Sequence, residues 1–514
     1  MTNDGIFLER KELQADFLAL AVDIGASNGR AVLGRLSPHG KLTLREVHRF
    51  ANSCVERECV FRWDFDGLSK EVVKSIEKCW KLGFRPASVG VDTWGVDYVL
   101  MAEDGSLVDE PIAYRDRRTE GVMERFFREV MSPEEIYAIT GIQFMPINTV
   151  YQLAADIFSG SDRLRQAHKI LLMPDAFAFR LAASMPACRQ AGFSEYTIAS
   201  TTQMLDARRR SWSEEIVSRM GLRRELLPEI VSPGTKVGTY KSPGKPAREI
   251  EVVLPAAHDT AAAVAAVPAK PDTSWAYVSC GTWILVGVEL KTPLLTDEAR
   301  QAGITNEGGL EGTYRLLTNI NGLWLIQECM RMWERRGKAL SIQQVCEAAE
   351  SAPPDGSLID PDRPSFLSPE DMTEAIRLLC QKTGQRAPEG VGQTARCIFE
   401  SLALKTRVVL EKIAGLVGEE PQVIHLVGGG SKNAHFCRMT ASATNRVLVA
   451  GPAEATAVGN LLTQAMAAGR LRSLAQGREV VRESFALVQY EPSDANYWRK
   501  RYERFQEVLQ GRKD

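Results

Sequence analysis

Five short segments carry residue types that a plain hydrophobic core would not select. Asp23-Ile24-Gly25-Ala26-Ser27-Asn28-Gly29-Arg30 leaves an apolar run and sets a carboxylate beside a turn of small side chains. Such a turn exposes backbone N–H groups that can cradle a phosphate, and the Asp can hold a hydrated Mg²⁺. Read alone, it is also an ordinary hairpin turn with Asp23 at a strand end. His425 to Asn433 (HLVGGGSKN) leaves another apolar run through three consecutive glycines, which either admit a flat ligand such as a nucleotide or form a flexible turn. Ala257-His258-Asp259-Thr260 opens an Ala-rich stretch stopped by Pro268. Asp259 is there either as a helix cap or as a base, kept ionised by the helix dipole and able to take a proton from a hydroxyl. Val91 to Tyr98 (VDTWGVDY) combines two acids, an indole and Gly95. That mixture suits polyol recognition, the alternative being a strand end with solvated acids. Asn319 and Gln327, about the GLWLIQ stretch, are amide contacts to a ligand or polar groups at a helix start.

Other chemistries lack their motifs. No G-x-x-x-x-G-K-[ST] occurs, and Gly390-Val391-Gly392-Gln393-Thr394-Ala395 fits a dinucleotide fingerprint only in letters, because KTGQRAPE before it is no strand. His39, His48, His168 and His435 show no zinc-ligand spacing with Cys or acid partners.

The elements that must hold these residues are readable from periodicity. Leu18 to Leu36 predicts a hairpin with a tight polar turn, and Trp275 to Leu290 repeats the plan with Gly281 in the turn. The two are almost half the chain apart, which suggests two similar α/β halves. Ser232 to Arg248, rich in Pro, Gly and Lys, reads as the boundary, with domains 1–252 and 253–514. Ser88 to Leu100, Lys169 to Met173 and Val423 to Val427 read as strands. Thr394 to Leu416 reads as a helix with Ile398, Leu402, Val409 and Ile413 on one face. Ser351 to Pro369 reads as a surface loop, and Ser493 as the N-cap of a C-terminal amphipathic helix.

Composition excludes whole function classes. A chain of 514 residues with 63 Lys+Arg against 65 Asp+Glu has no basic surplus for a phosphate backbone or an anionic membrane. No apolar run of membrane-spanning length and no export signal is found, so the expected location is cytoplasmic. The ten cysteines, Cys188 among them, lack a C-x-x-C pair and read as reduced core thiols.

Taken in order, AVDIGASNGR, VDTWGVDYVL, YRDRRT (Tyr114 to Thr119), GIQFMPINTVYQL (Gly141 to Leu153), AHDTA, SCGTW, TNEGG (Thr305 to Gly309), NINGLWLIQ and HLVGGGSKN resemble the FGGY family of carbohydrate kinases, within the actin-like ATPase fold. The resemblance implies two ribonuclease-H-like domains with an interdomain cleft, sugar held mainly by the first and ATP mainly by the second. It implies that Ala26, Ser27, Asn28, Gly29 and Arg30 face the triphosphate and that Thr282, Gln327 and Gly429 contact ATP. Gly95, His258, Asp259, Thr260 and Asn319 match sugar-site positions, Asp259 matches the catalytic base, and Asp23 matches the acid near Mg²⁺. Where many relatives carry a Lys and a Trp for sugar binding, this chain reads PINTVYQL, which departs from the glycerol and xylulose kinases. It fits members acting on the 1-hydroxyl of L-rhamnulose, with L-fuculose or another ketose as the alternative. A non-catalytic, ATP-switched actin-like protein is a second alternative, against which the sugar-site residues argue. The first 17 or so residues have no counterpart in the family pattern, and oligomeric state is left open.

Overall fold

The first apolar run folds as a hairpin. In the computed structural model, β1 (Phe17–Ile24) and β2 (Asn28–Leu36) pair antiparallel with Asp23 opposite Arg30. β3 (Leu42–Ala51) extends the hairpin on one side. β4 (Ser88–Thr93) lies parallel to β1 on the other, placing Asp23 beside Asp92. β5 (Lys236–Lys241) and β6 (Glu249–Val253) complete a sheet of order β5-β6-β4-β1-β2-β3. β1 reads as a near-continuous apolar run, and β4 is buried along its whole length, because both faces of the sheet centre are covered. The structure describes residues 15–182, 192–244, 246–367 and 369–511; Cys188 and nearly all of the N-terminal extension lie outside them.

Two compact units emerge. The first comprises residues 1–266, 289–316 and 455–484, and the second 267–288, 317–454 and 485–514. In the first, helices Asp259–Ala265 and Ala455–Ala467 meet at their backbones, since a Cβ on Gly459 would fall 1.8 Å from the Ala262 carbonyl oxygen. The Ala-rich sequence of the shorter helix is what allows that approach.

A second sheet repeats the plan. β7 (Trp275–Cys280) and β8 (Trp283–Leu290) form the second expected hairpin, and β9 (Tyr314–Asn321) is the next strand outward. β10 (Val423–Val427) runs parallel to β7, β11 (Val447–Ala450) parallel to β10, and β12 (Val488–Tyr490) closes the edge. Both sheets thus carry an antiparallel hairpin, two parallel strands beside the hairpin's first strand, and an antiparallel edge strand beyond them.

Several expectations are corrected. The segment expected as a linker contains β5, which pairs antiparallel with β6; the proposed cut at 252 falls inside β6, and the first unit continues to Ala266. Ser88 to Leu100 is two strands, broken at Trp94 to Asp97, where Val96 has a φ of 69°. The 351–369 loop buries Leu358, Ile359 and Asp360, the last paired with Lys405 at 2.9 Å. The C-terminal helix Ala495–Gln510 is preceded by Asp494 at a φ of 52°, without a side-chain cap, while the Ser493 N–H donates to Ser442 Oγ. The long helix is confirmed, at Gly390–Val417. Its GVGQTA letters lie in the first turns, with no strand before them. Of the nine described cysteines, all unpaired, six are buried but Cys59 is exposed. Among the described residues no helix is long and apolar enough to cross a membrane.

Candidate active site

In the first unit, His258 forms a parallel bridge with Thr93 at the end of β4, and the Thr93 N–H donates to the Ala257 carbonyl at 2.9 Å. That pairing carries Asp259, the first residue of its helix, to the strand end that bears the Val91–Tyr98 segment. A Cβ on Gly95 would lie 3.4 Å from His258 Nε2, so Gly95, His258, Asp259 and Thr260 are brought together. Asp259 is about one-third exposed, and its Oδ1 accepts from Thr260 Oγ1 at 3.0 Å and stands 3.4 Å from His258 Nε2.

The remainder of VDTWGVDY is scaffold. Asp97 is buried, its Oδ2 accepting from Trp63 Nε1 (2.6 Å), Trp94 Nε1 (2.9 Å) and the Tyr114 N–H (3.2 Å), and its Oδ1 from Gln152 Nε2 (3.2 Å). Burial pushes its carboxyl up to about 6 against the pull of those donors. Trp94 is buried as well, its ring 4.5 Å from Trp63. Neither side chain is a solvated strand-end group or an open sugar platform. Val96, in a left-handed conformation uncommon for a β-branched residue, is held by Thr149 Oγ1 and Gln152 Nε2 donating to its carbonyl and by its N–H donating to Thr201 Oγ1. Thr149 and Gln152 belong to PINTVYQL, so that segment shapes the Gly95–Val96 turn from behind.

At the β1–β2 turn the Gly25 N–H donates to the Asn28 carbonyl, and Asn52 Nδ2 to the Gly25 carbonyl. Ser27 and Asn28 are exposed, and Ala26 and Arg30 are half-buried. Gly29 has a structural reason, since its Cβ would strike the Phe50 ring at 2.3 Å. Arg30 clamps Asp23 Oδ2 through Nε at 3.0 Å and Nη2 at 2.8 Å. Beside it, Asp92 is fully buried. Its Oδ2 accepts from Asn460 Nδ2 at 2.6 Å, whereas Oδ1 has no hydrogen-bond partner. Burial holds this carboxyl well above the usual range, and the Asp23 and Asp259 charges push it the same way. Among the described residues no three-ligand metal cluster occurs. Two adjacent carboxylates, one with an orphaned oxygen, do fit a cation that keeps most of its water and shares phosphate oxygens.

In the second unit, Thr282, Gln327 and Gly429 gather round the β7–β8 turn. The Gly281 and Thr282 carbonyls accept from the Leu323 and Trp324 N–H groups that start helix Trp324–Arg335, which carries Gln327 in its first turn. From β10, a Cβ on Gly430 would lie 2.2 Å from Cys280 Sγ, and one on Gly428, at a φ of 85°, 3.0 Å from the Cys280 carbonyl. Gly429 is exposed, with open space where a Cβ would stand. Asn319 is half-buried in β9, in this second unit rather than with the other sugar-site positions.

Sequence reasoning left several neighbours of the site without a role. Asp92 was visible only as one of two acids in a strand, and Glu307 only as a letter of TNEGG. Glu195 and Arg315 lie in no motif: Glu195 Oε2 accepts from the Ala257 N–H at 3.2 Å, and the buried Arg315 reaches both His258 and Glu307.

Two profiles of the FGGY family of carbohydrate kinases match the chain, the N-terminal domain over residues 18–266 and the C-terminal domain over 276–468. A rhamnulokinase of Bacteroides thetaiotaomicron is 42% identical over 95% of this chain and 99% of its own. One of Pectobacterium carotovorum is 41% identical over 96% of both, and one of Enterococcus faecalis 38% over 95% and 97%. Among solved structures, a gluconate kinase from Lactobacillus acidophilus superposes with a TM-score of 0.78 at 15% identity, covering 97% of this chain and 98% of its own. A Plasmodium falciparum glycerol kinase with ADP gives 0.76 at 14%, covering 97% and 99%.

Proposed function

The chain belongs to the FGGY family of carbohydrate kinases, and we propose that it transfers the γ-phosphoryl group of ATP to the 1-hydroxyl of L-rhamnulose, forming L-rhamnulose 1-phosphate and ADP. The observation that carries the substrate is the near-full-length similarity, at about two residues in five, to rhamnulokinases of several bacterial genera.

Phosphoryl transfer has a loose transition state, so the protein's contribution is positioning and charge neutralisation. Asp259 is the base: the 1-hydroxyl oxygen bonds to the γ-phosphorus, the bond to the β–γ bridging oxygen breaks, and the hydroxyl proton passes to the carboxylate. Because Oδ1 accepts from Thr260 Oγ1, the proton falls to Oδ2. Gly95, His258 and Thr260 hold the sugar, with Asn319 as a further contact. Gly429 lies against the adenosine, Thr282 and Gln327 contact ATP, and the Ala26–Arg30 turn presents its backbone to the phosphates. Asp23 and Asp92 would hold Mg²⁺, whose chemistry when bound is to neutralise developing charge on the phosphate oxygens.

An ADP-release assay at equal concentrations of L-rhamnulose, L-fuculose, D-xylulose, L-ribulose and glycerol tests the reading. L-Rhamnulose ranks first by kcat/KM. Another member ahead by more than about tenfold, roughly 1.4 kcal/mol of transition-state binding, overturns the substrate while leaving the kinase chemistry in place.

A further inference from the structure

The backbone at His258 is pinned from three directions. Its N–H donates to Thr197 Oγ1 at 3.2 Å, the Ala257 N–H donates to Glu195 Oε2, and the Ala257 carbonyl accepts from Thr93. What remains to be set is the imidazole: which nitrogen carries the proton, and where it points.

Arg315 sets it. Its side chain is fully buried, with Nε donating to the Gly308 carbonyl at 3.0 Å and Nη2 lying 3.0 Å from His258 Nδ1 in hydrogen-bond geometry. Glu307 Oε2 stands 2.8 Å from Arg315 Nη2 and 3.2 Å from His258 Nδ1. It satisfies hydrogen-bond angles with neither, so its role toward them is that of a counter-charge. Burial opposes the charge on Glu307, yet the Arg315 guanidinium beside it holds the carboxyl down at about 2. A guanidinium can only donate, so Nδ1 must accept, and the neutral ring carries its proton on Nε2. That N–H is 3.4 Å from Asp259 Oδ1 and borders Gly95.

We propose that Arg315 and Glu307 are positioning residues for phosphotransfer: they fix His258 as the Nε2–H tautomer, so that a donor faces Asp259 and the sugar position. The link to catalysis rests on Asp259 being the base; the tautomer does not.

The test is ¹⁵N NMR of the full chain labelled with [¹⁵N]histidine, whose six imidazoles are few enough to separate, His258 being assigned by the signal lost in His258→Gln. Wild type shows His258 protonated at Nε2 and unprotonated at Nδ1. In the double variant Glu307→Leu/Arg315→Met, which removes both buried charges together and so strands neither, the Nδ1 constraint is gone. The ring becomes a mixture of tautomers, and kcat falls about 10- to 100-fold, the range typical of partners that orient a functional histidine, while KM for ATP stays within twofold. An Nδ1–H signal in wild type overturns the proposal, whether or not the variant folds. So does a double variant that retains a pure Nε2–H ring. Undiminished turnover by Asp259→Asn would instead sink the base assignment and leave the NMR result standing.

Discussion

Replacing Asp97 by Asn changes one oxygen for an NH₂, and the surroundings define the consequence. Two indole N–H groups and a backbone N–H converge on Oδ2, and the Gln152 amide donates to Oδ1. Gln152 cannot turn over to help, because its Oε1 accepts from Arg118 at 2.8 Å while its Nε2 donates to the Ile147 carbonyl at 2.8 Å. An Asn at this position therefore sets donor against donor, at about 1–3 kcal/mol. A second effect depends on pH. Asp97 has its carboxyl at about 6 in the folded chain against 3.8 when exposed, so folding favours the protonated form by roughly 3 kcal/mol. That contribution is complete below pH 3.8 and is lost as pH rises through 6. Between pH 5 and pH 8 wild type gives up about 1 kcal/mol of it, which Asn, unable to ionise, never had. The variant should be less stable throughout, but by about 1 kcal/mol less at pH 8 than at pH 5. Urea unfolding of both proteins at each pH, followed by tryptophan fluorescence, measures this, since Trp63 and Trp94 sit on the carboxylate. Other titrating groups, such as Glu195 at about 7, cancel in the comparison. A stability gap constant to within about 0.5 kcal/mol would show that Asp97 is not held above the ordinary carboxylate range.

Three further outcomes follow from the residues at the strand ends. Asp259→Asn lowers kcat by about three to four orders of magnitude with KM for ATP nearly unchanged, because a general base contributes up to about 10⁴-fold; near-normal turnover by the folded variant removes it from that role. Gly429→Val raises the Kd for ATP more than that for the sugar in calorimetric titration, with an unchanged melting temperature, since a Cβ there meets no protein atom within 4 Å. Gly430→Ala, whose Cβ would meet Cys280 Sγ at 2.2 Å, loses melting temperature instead, and equal thermal loss in both variants would contradict the packing described.

What was legible in the sequence was local. The hairpins at Leu18 to Leu36 and Trp275 to Leu290 are specified by neighbours in the chain: apolar strands, small turn residues and a few polar atoms. The same holds for the Gly-rich exit from β10 and for Asp259 before its Ala-rich helix. The errors share one cause, contacts between residues far apart in sequence. β5 looked like a linker because its letters lack alternation, and only pairing with β6 makes it a strand. Asp97 reads as a sugar contact or a solvated acid because nothing nearby in the chain announces that Trp63 and Gln152 will close over it. The first unit takes back residues 455–484 because Asn460 and Gln464 bond to β4 and β1 groups such as Asp92, Gly90 and Leu20. A reacting residue must be reached by its ligand, so it sits at a turn or helix start whose Gly, Asp and small residues mark it. A positioning residue works from behind, in the core, where Arg315 and Glu195 are defined only by what they touch. Motif reading therefore finds the chemistry of such a site before its supports, and buried charged groups one contact beyond each motif are where a structure adds most.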